Sequence, residues 1–291
     1  MSAVGALLAR IVDYAGLFPP ASLDMERAVA NYQSYSIAEH SWMLGNFVVP
    51  ANRLGEFAEV FSRVCCNEQE QPWTLSVVCG STTTGDDLKE IEEFQQGAAF
   101  ISTVEARAAE VRSARSLLRR MPAGPARYVE FPSERAKRLL PVLASCKARA
   151  KLRTGGTSPE AIPKPEAVAR FLQSCADSHI PFKATAGMHH AVRGSHHLTY
   201  DLSSPIAQTH GFLNFFLGAG LAWLGTGETA VVKTLKEEDP GAFRLEEDSI
   251  SWHDQSLTAA QVAHLRADLA ISFGSCSFAE PIEDLKAMEW L

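Results

Sequence analysis

Short apolar runs recur along this chain with amphipathic stretches between them, and this alternation restricts the available folds more than any other feature. Residues 42–49 form an apolar run, with Asn46 its one polar member, stopped by Pro50, the mark of a strand buried on both faces. Behind it Leu54, Phe57, Val60, Phe61 and Val64 recur at intervals of three and four, as on a helix with one apolar face. The couplet then repeats. Strands are expected over 73–79, 98–104, 127–131, 148–154 and 181–187, with a turn over 80–85. Helices are expected around Leu88, Ile91 and Phe94, then over 108–118, 133–143 and 166–176. Residues 11–14 supply a first strand and 269–275 a last one. Strand–helix alternation at this spacing predicts a parallel sheet, and eight such strands close into a (β/α)8 barrel. A doubly wound open sheet is the competing architecture, although no G-x-G-x-x-G marks the first turn of a nucleotide-binding version.

On this reading residues 1–190 carry barrel strands one to seven, and 269–291 the closing strand and a last helix. Residues 191–268 are an insertion of helices and a hairpin packed on the barrel rather than a separate domain. Residues 189–209 are polar and predict a long loop over the barrel mouth. An apolar helix over 211–224, a second near 230–235 and a hairpin over 243–257 follow. Thr258 and Gln261 make a capping box that opens one more helix.

A net charge of −7 gives no basic field for nucleic acid or an anionic membrane surface. The apolar run 212–224 is too short to cross a bilayer of about 30 Å. Arg10 and Asp13 interrupt the apolar N-terminal stretch and no cleavage site follows, so no signal peptide is expected. Cys65, Cys66, Cys79, Cys146, Cys175 and Cys276 show no C-x-x-C spacing and read as reduced thiols of a cytoplasmic protein.

Two lysines stand out on the sixth and seventh strands. Side chains alternate faces along a strand, so Lys151 shares a face with Arg153, and Lys183 with Thr185. In a barrel the carboxyl ends of the strands line the active site, and Glu130 and Glu105 fall there too. Two ammonium groups aimed at one cavity repel, which lowers a lysine pKa and frees an amine to attack a carbonyl. Glu130 could move protons or pair with a lysine. The alternative is a structural salt-bridge cluster, although each ion taken out of water costs several kcal/mol.

Here the chain resembles the deoxyribose-phosphate aldolases. That family of (β/α)8 barrels carries a Lys-x-x-Thr-Gly strand, a Lys-Ala-Ser-Gly-Gly strand and a Phe-Gly-Ala-Ser-Ser-like turn. This chain has Lys151-Leu152-Arg153-Thr154-Gly155, Lys183-Ala184-Thr185-Ala186-Gly187 and Phe273-Gly274-Ser275-Cys276-Ser277, in the same order. The resemblance implies a Schiff base on Lys151 with Lys183 as its pKa-lowering partner. It also implies that Gly187 and the Gly274, Ser275 and Ser277 turn bind an anion through backbone N–H groups. Thr154, Gly155 and Thr185 join them as expected substrate contacts. Arg153 stands where the family has a small residue and would suit a carboxylate or phosphate. His189-His190 also departs from the family, as does the insertion.

Five histidines lie close together: His189, His190, His196, His197 and His210. They read as a lid with one histidine on substrate, or as a divalent-metal site completed by Asp13, Glu105, Glu130 or Asp201. Asp13 and Tyr14 end the first strand and could face the same cavity. Ser275-Cys276-Ser277 invites a nucleophile, yet the sequence places no base beside it, and backbone anion binding is favoured.

The first expectation is therefore an aldolase-like carbon–carbon lyase that needs no cofactor. It would act on a small anionic carbonyl compound, with assembly into a homo-oligomer possible. A metal-dependent hydrolase or isomerase built on the histidines, and a non-catalytic ligand-binding barrel, are the alternatives.

Overall fold

The computed structural model describes residues 2–65, 72–80, 85–94 and 97–291. Cys66 and most of the turn expected over 80–85 lie outside the described residues. The chain opens with α1 (Ala3–Leu8), β1 (Val12–Tyr14), α2 (Met25–Ser36), β2 (Leu44–Pro50) and α3 (Leu54–Val64). Next come β3 (Trp73–Val78), α4 (Gly85–Glu93), β4 (Ala99–Arg107), α5 (Val111–Arg120), β5 (Ala126–Glu130) and α6 (Ala136–Ser145). β6 (Arg149–Arg153), α7 (Pro165–Asp177) and β7 (Phe182–Thr185) complete the regular repeats. There follow β8 (Gly194–His197), β9 (Ile206–Thr209), α8 (Phe212–Trp223), α9 (Glu228–Lys236), β10 (Phe243–Leu245), β11 (Ser249–Trp252) and β12 (Gln255–Thr258). α10 (Ala259–Asp268), β13 (Ala270–Ser275) and α11 (Ala279–Ala287) end the chain.

Strands β1 to β7 and β13 close into a parallel barrel, with β13 between β7 and β1. The fold is a (β/α)8 TIM-type barrel. The two-residue period of its strands sorts side chains cleanly. Tyr14, Phe182 and Phe273 point outward and pack on helices, with ring centroids 5.4 Å from Tyr35, 5.9 Å from Phe215 and 5.2 Å from Phe212. Their neighbours Asp13, Lys183 and Ser272 point inward and bond to one another. The hydrophobic core thus lies between sheet and helices, and the mouth end of the barrel interior is ionic rather than aliphatic.

Helix α8 is buried on nearly every face because it lies against α7 and α9 and back onto β13. That explains a helix with no polar side. A Cβ on Gly220 would sit 2.3 Å from the Leu257 side chain, so a glycine there lets the small sheet approach. The small sheet has three antiparallel strands, β10–β11–β12, where the sequence suggested two. Its second turn places His253 at φ 49°, without the glycine or asparagine that usually marks such a hairpin. The polar stretch read as a loop likewise contains the β8–β9 hairpin, pairing His196 with Ala207. Gly-Ser-His-His has no apolar alternation to reveal a strand. Among the described residues no helix is long and apolar enough to cross a membrane.

Candidate active site

Barrel register sets Arg107 beside Glu130, Glu130 beside Lys151, and Lys151 beside Lys183. All four side chains meet at the carboxyl ends of β4 to β7. There they form a chain of alternating charge. Asp13 Oδ2 lies 2.5 Å from Lys183 Nζ, which also reaches Glu105 Oε1 at 2.6 Å. The other oxygen of Glu105 lies 2.5 Å from Lys151 Nζ, which reaches Glu130 Oε2 at 3.0 Å. Glu130 Oε1 then accepts from Arg153 Nε at 3.0 Å and pairs with Arg107 Nε at 3.1 Å.

Hydrogen-bond donors complete the inner end. Asn46 donates twice to Asp13 Oδ1, at 2.8 and 2.9 Å, and Ser272 donates to Oδ2 at 2.8 Å. Ser76 donates to Glu105 Oε1 at 2.5 Å and is itself held by Thr103. Glu105 and Lys183 are each only 2% exposed, so these charges persist because every one is paired and bonded.

The network corrects one expectation. Glu105 stands between the lysines and gives one oxygen to each, so they do not face each other as bare ammoniums. Burial alone would depress the Lys183 pKa, but Asp13 and Glu105 outweigh it and hold the amine above its ordinary value. Burial likewise favours neutral Glu105 and Glu130. Lys151 and Lys183 reverse this for Glu105, and Lys151, Arg153 and Arg107 for Glu130, so both carboxyls lie below the usual range. Lys183 is a fixed positive charge.

A cavity of about 440 Å³ opens above the network, lined by Lys151, Lys183, Glu105, Glu130, Arg107, Arg153, Thr185, His189, Gly274 and Cys276. Other expected site residues stand elsewhere. Asp13 is behind Lys183. Thr154 is buried, its hydroxyl donating to the Ala186 carbonyl at 2.6 Å. Gly155 meets Gly187 so closely that a Cβ on either would lie 2.8 Å from the other's Cα, and Gly187 has φ 77°. The glycines here join two loops, and Gly187 faces an adjoining cavity of about 290 Å³. Ser275 is buried at the end of β13, and Ser277 Oγ accepts from the Glu280 N–H of α11 at 3.2 Å.

Four of the five histidines have separate polar partners. His189 Nδ1 lies 2.6 Å from Glu280, and His190 Nδ1 lies 3.1 Å from Asp284 while its ring stacks on His196 at 3.5 Å. His197 faces the Ser204 carbonyl, and His210 Nε2 donates to the Pro163 carbonyl at 2.7 Å. Among the described residues no group of three or more His, Cys, Asp or Glu is arranged to hold a metal ion. Sequence reasoning missed Arg107, Asn46, Ser76 and Ser272. Strand parity could have found Arg107, which lies two residues beyond Glu105 on the same face.

These shifts dictate a pH response. Burial lowers the pKa of His196 and of His210 to about 4, so the unfolded chain takes up protons there first as pH falls below about 6.5. Depressed Glu105 and Glu130 add to that loss lower down. Burial opposes the His189 charge, but hydrogen bonds to Cys276 and Glu280 raise its pKa to about 10. Its stabilisation is complete below about pH 6.5 and lost as pH rises toward 10. Tm measured by calorimetry from pH 4 to 10 should peak between about 6 and 7. His189→Gln should flatten the alkaline side. A Tm still rising at pH 9 would contradict the assignment.

With barrel and network in place, the chain is a TIM-type barrel of aldolase-like fold. It is similar to a solved deoxyribose phosphate aldolase from Aeropyrum pernix, described as a unique tetramer, with a TM-score of 0.51 and 12% identity over 98% of this chain and 93% of that one. It is also similar to a FabK mutant from Thermotoga maritima, with a TM-score of 0.38 and 15% identity over 66% of this chain and 59% of that one. No family model and no curated protein matches the chain.

Proposed function

We propose that this protein is an aldolase-like carbon–carbon lyase that forms a Schiff base through Lys151 with a small anionic carbonyl compound. One observation carries the reading: Lys151 reaches the cavity between two carboxylates, with the fixed charge of Lys183 behind Glu105. Glu130 takes the ammonium proton, and the free amine of Lys151 adds to the carbonyl carbon. The carbinolamine loses water with a proton returned by Glu130. The resulting iminium accepts the electron pair of the bond between the α and β carbons, which breaks as the β-hydroxyl gives its proton to Glu130 and an aldehyde is released. Protonation of the enamine and hydrolysis then restore the amine.

Arg107 and Arg153 are partly exposed at the rim and have N–H groups beyond those spent on Glu130. They would hold a carboxylate or phosphate. Cations in the wall (Lys151, Lys183, Arg107, Arg153) outnumber the carboxylates Asp13, Glu105 and Glu130, which favours an anion. The reading extends to a cytoplasmic setting, supported by free thiols at Cys146, Cys175 and Cys276. Assembly of several copies is also part of it, in line with the tetrameric aldolase it resembles.

Borohydride trapping tests the reading. Incubation with a panel of keto acids, glyoxylate and phosphorylated aldehydes, followed by reduction and peptide mapping, should place the added mass on the peptide holding Lys151. A panel without any lysine adduct, or an adduct on a different lysine, would overturn it.

A further inference from the structure

Cys276 follows β13 at the barrel mouth, and its largely buried thiol lines the same cavity as Lys151. The fold supplies the base that the sequence did not show beside it. His189, on the loop after β7, places Nε2 3.9 Å from Cys276 Sγ. Its Nδ1 lies 2.6 Å from Glu280 Oε2 on α11 and 3.4 Å from Ser275 Oγ. Tyr200, from the turn of the β8–β9 hairpin, places its hydroxyl 3.5 Å from the same sulfur. Two segments far apart in the chain, the loop after β7 and the β13–α11 junction, thus set thiol, imidazole and carboxylate in line. This is the nucleophile–base–orienter order of covalent catalysis. Glu280 holds the ring with its second nitrogen directed at the thiol. The aldolase reading uses none of these three groups.

We propose that Cys276, His189 and Glu280 form a nucleophilic site for acyl transfer, taking thioesters or activated esters of anionic acids. The Cys276 thiol gives its proton to His189 Nε2, and Sγ adds to the acyl carbonyl carbon, forming a sulfur–carbon bond. The bond to the leaving thiol or alcohol breaks, and the leaving group takes the proton on His189 Nε2. His189, now neutral, removes a proton from water as the hydroxide adds to the acyl carbon. The sulfur–carbon bond then breaks, the acid departs, and His189 is again protonated. Hydrolysis consumes one water and needs no oxidant. Arg153 and Lys151 across the cavity favour an acyl group with a negative charge. Glu280 is a positioning residue, since it acts through the ring of His189.

The test uses the full chain with p-nitrophenyl acetate and the anionic mono-p-nitrophenyl succinate. A burst of nitrophenolate is expected, larger in rate for the succinate, with the acyl mass on the peptide containing Cys276. Cys276→Ser removes the burst and keeps Tm. His189→Ala slows acylation by about 10²-fold or more, the usual contribution of a positioned acid–base. His189→Gln serves if the alanine variant unfolds. Glu280→Gln moves the alkaline limb of the acylation profile to lower pH, because the imidazolium loses its carboxylate; a merely structural residue would not shift it. Acyl mass spread over other cysteines and lysines, or acylation as fast in a folded His189 variant, would overturn the proposal. Its readout is a different peptide from the borohydride adduct on Lys151, so either idea can fail alone.

Discussion

Glu105→Gln should lower the unfolding free energy by about 3–5 kcal/mol, the range found when one partner of a buried ion pair is removed. The substitution keeps the shape of the side chain, so no cavity confuses the result. It removes the only carboxylate among the described residues that touches both lysines. Lys183 would retain Asp13, and Lys151 would retain Glu130, but two buried ammoniums would then face each other without a charge between them. For a chain of this size each kcal/mol corresponds to roughly 2–4 °C, so Tm should drop by about 10 °C. Urea unfolding should show a lower midpoint with an unchanged slope. Adding Lys183→Met should restore part of the loss, because the uncompensated charge goes with it. A single variant within about 0.5 kcal/mol of the parent would mean the network does not hold together as described.

Lys151→Ala and Lys183→Ala should separate chemistry from structure. On the proposed mechanism Lys151→Ala removes the nucleophile, and kcat for carbon–carbon cleavage should fall by at least about 10³-fold, with no adduct after borohydride. Its stability cost should be the smaller of the two. Glu105 keeps Lys183, and Glu130 keeps Arg107 and Arg153. Lys183→Ala deprives the wholly buried Asp13 of the cation paired with it and leaves it with the donors of Asn46 and Ser272. Asp13 is 1% exposed and has little access to water, so this variant should lose several kcal/mol. Equal kcat losses with equal stability losses would remove the distinction drawn between the lysines.

Much of the barrel was legible in the sequence because each parallel strand is covered on both faces. Runs such as Leu44–Pro50 and Ala270–Ser275 therefore read as mostly apolar segments, broken by inward polar residues such as Asn46 and Ser272, and α3 shows its single apolar face openly. The elements that escaped are those whose stability comes from what covers them. The β8–β9 hairpin carries no apolar alternation, and the third strand of the small sheet turns through His253 without a glycine signal.

The candidate site divides along the same line. Local pattern alone determined that Lys151, Lys183 and Glu130 stand inward at strand ends, because parity along a strand is a local property. Tertiary structure alone decided their charges. Barrel closure brings Asp13 from the first strand onto Lys183 and slots Glu105 between two lysines on other strands. It also carries His189 to Cys276 across 87 positions of sequence. A sequence states which groups are present and which way they face. Their pKa values and partners depend on distance and desolvation, and those exist only once the barrel has closed.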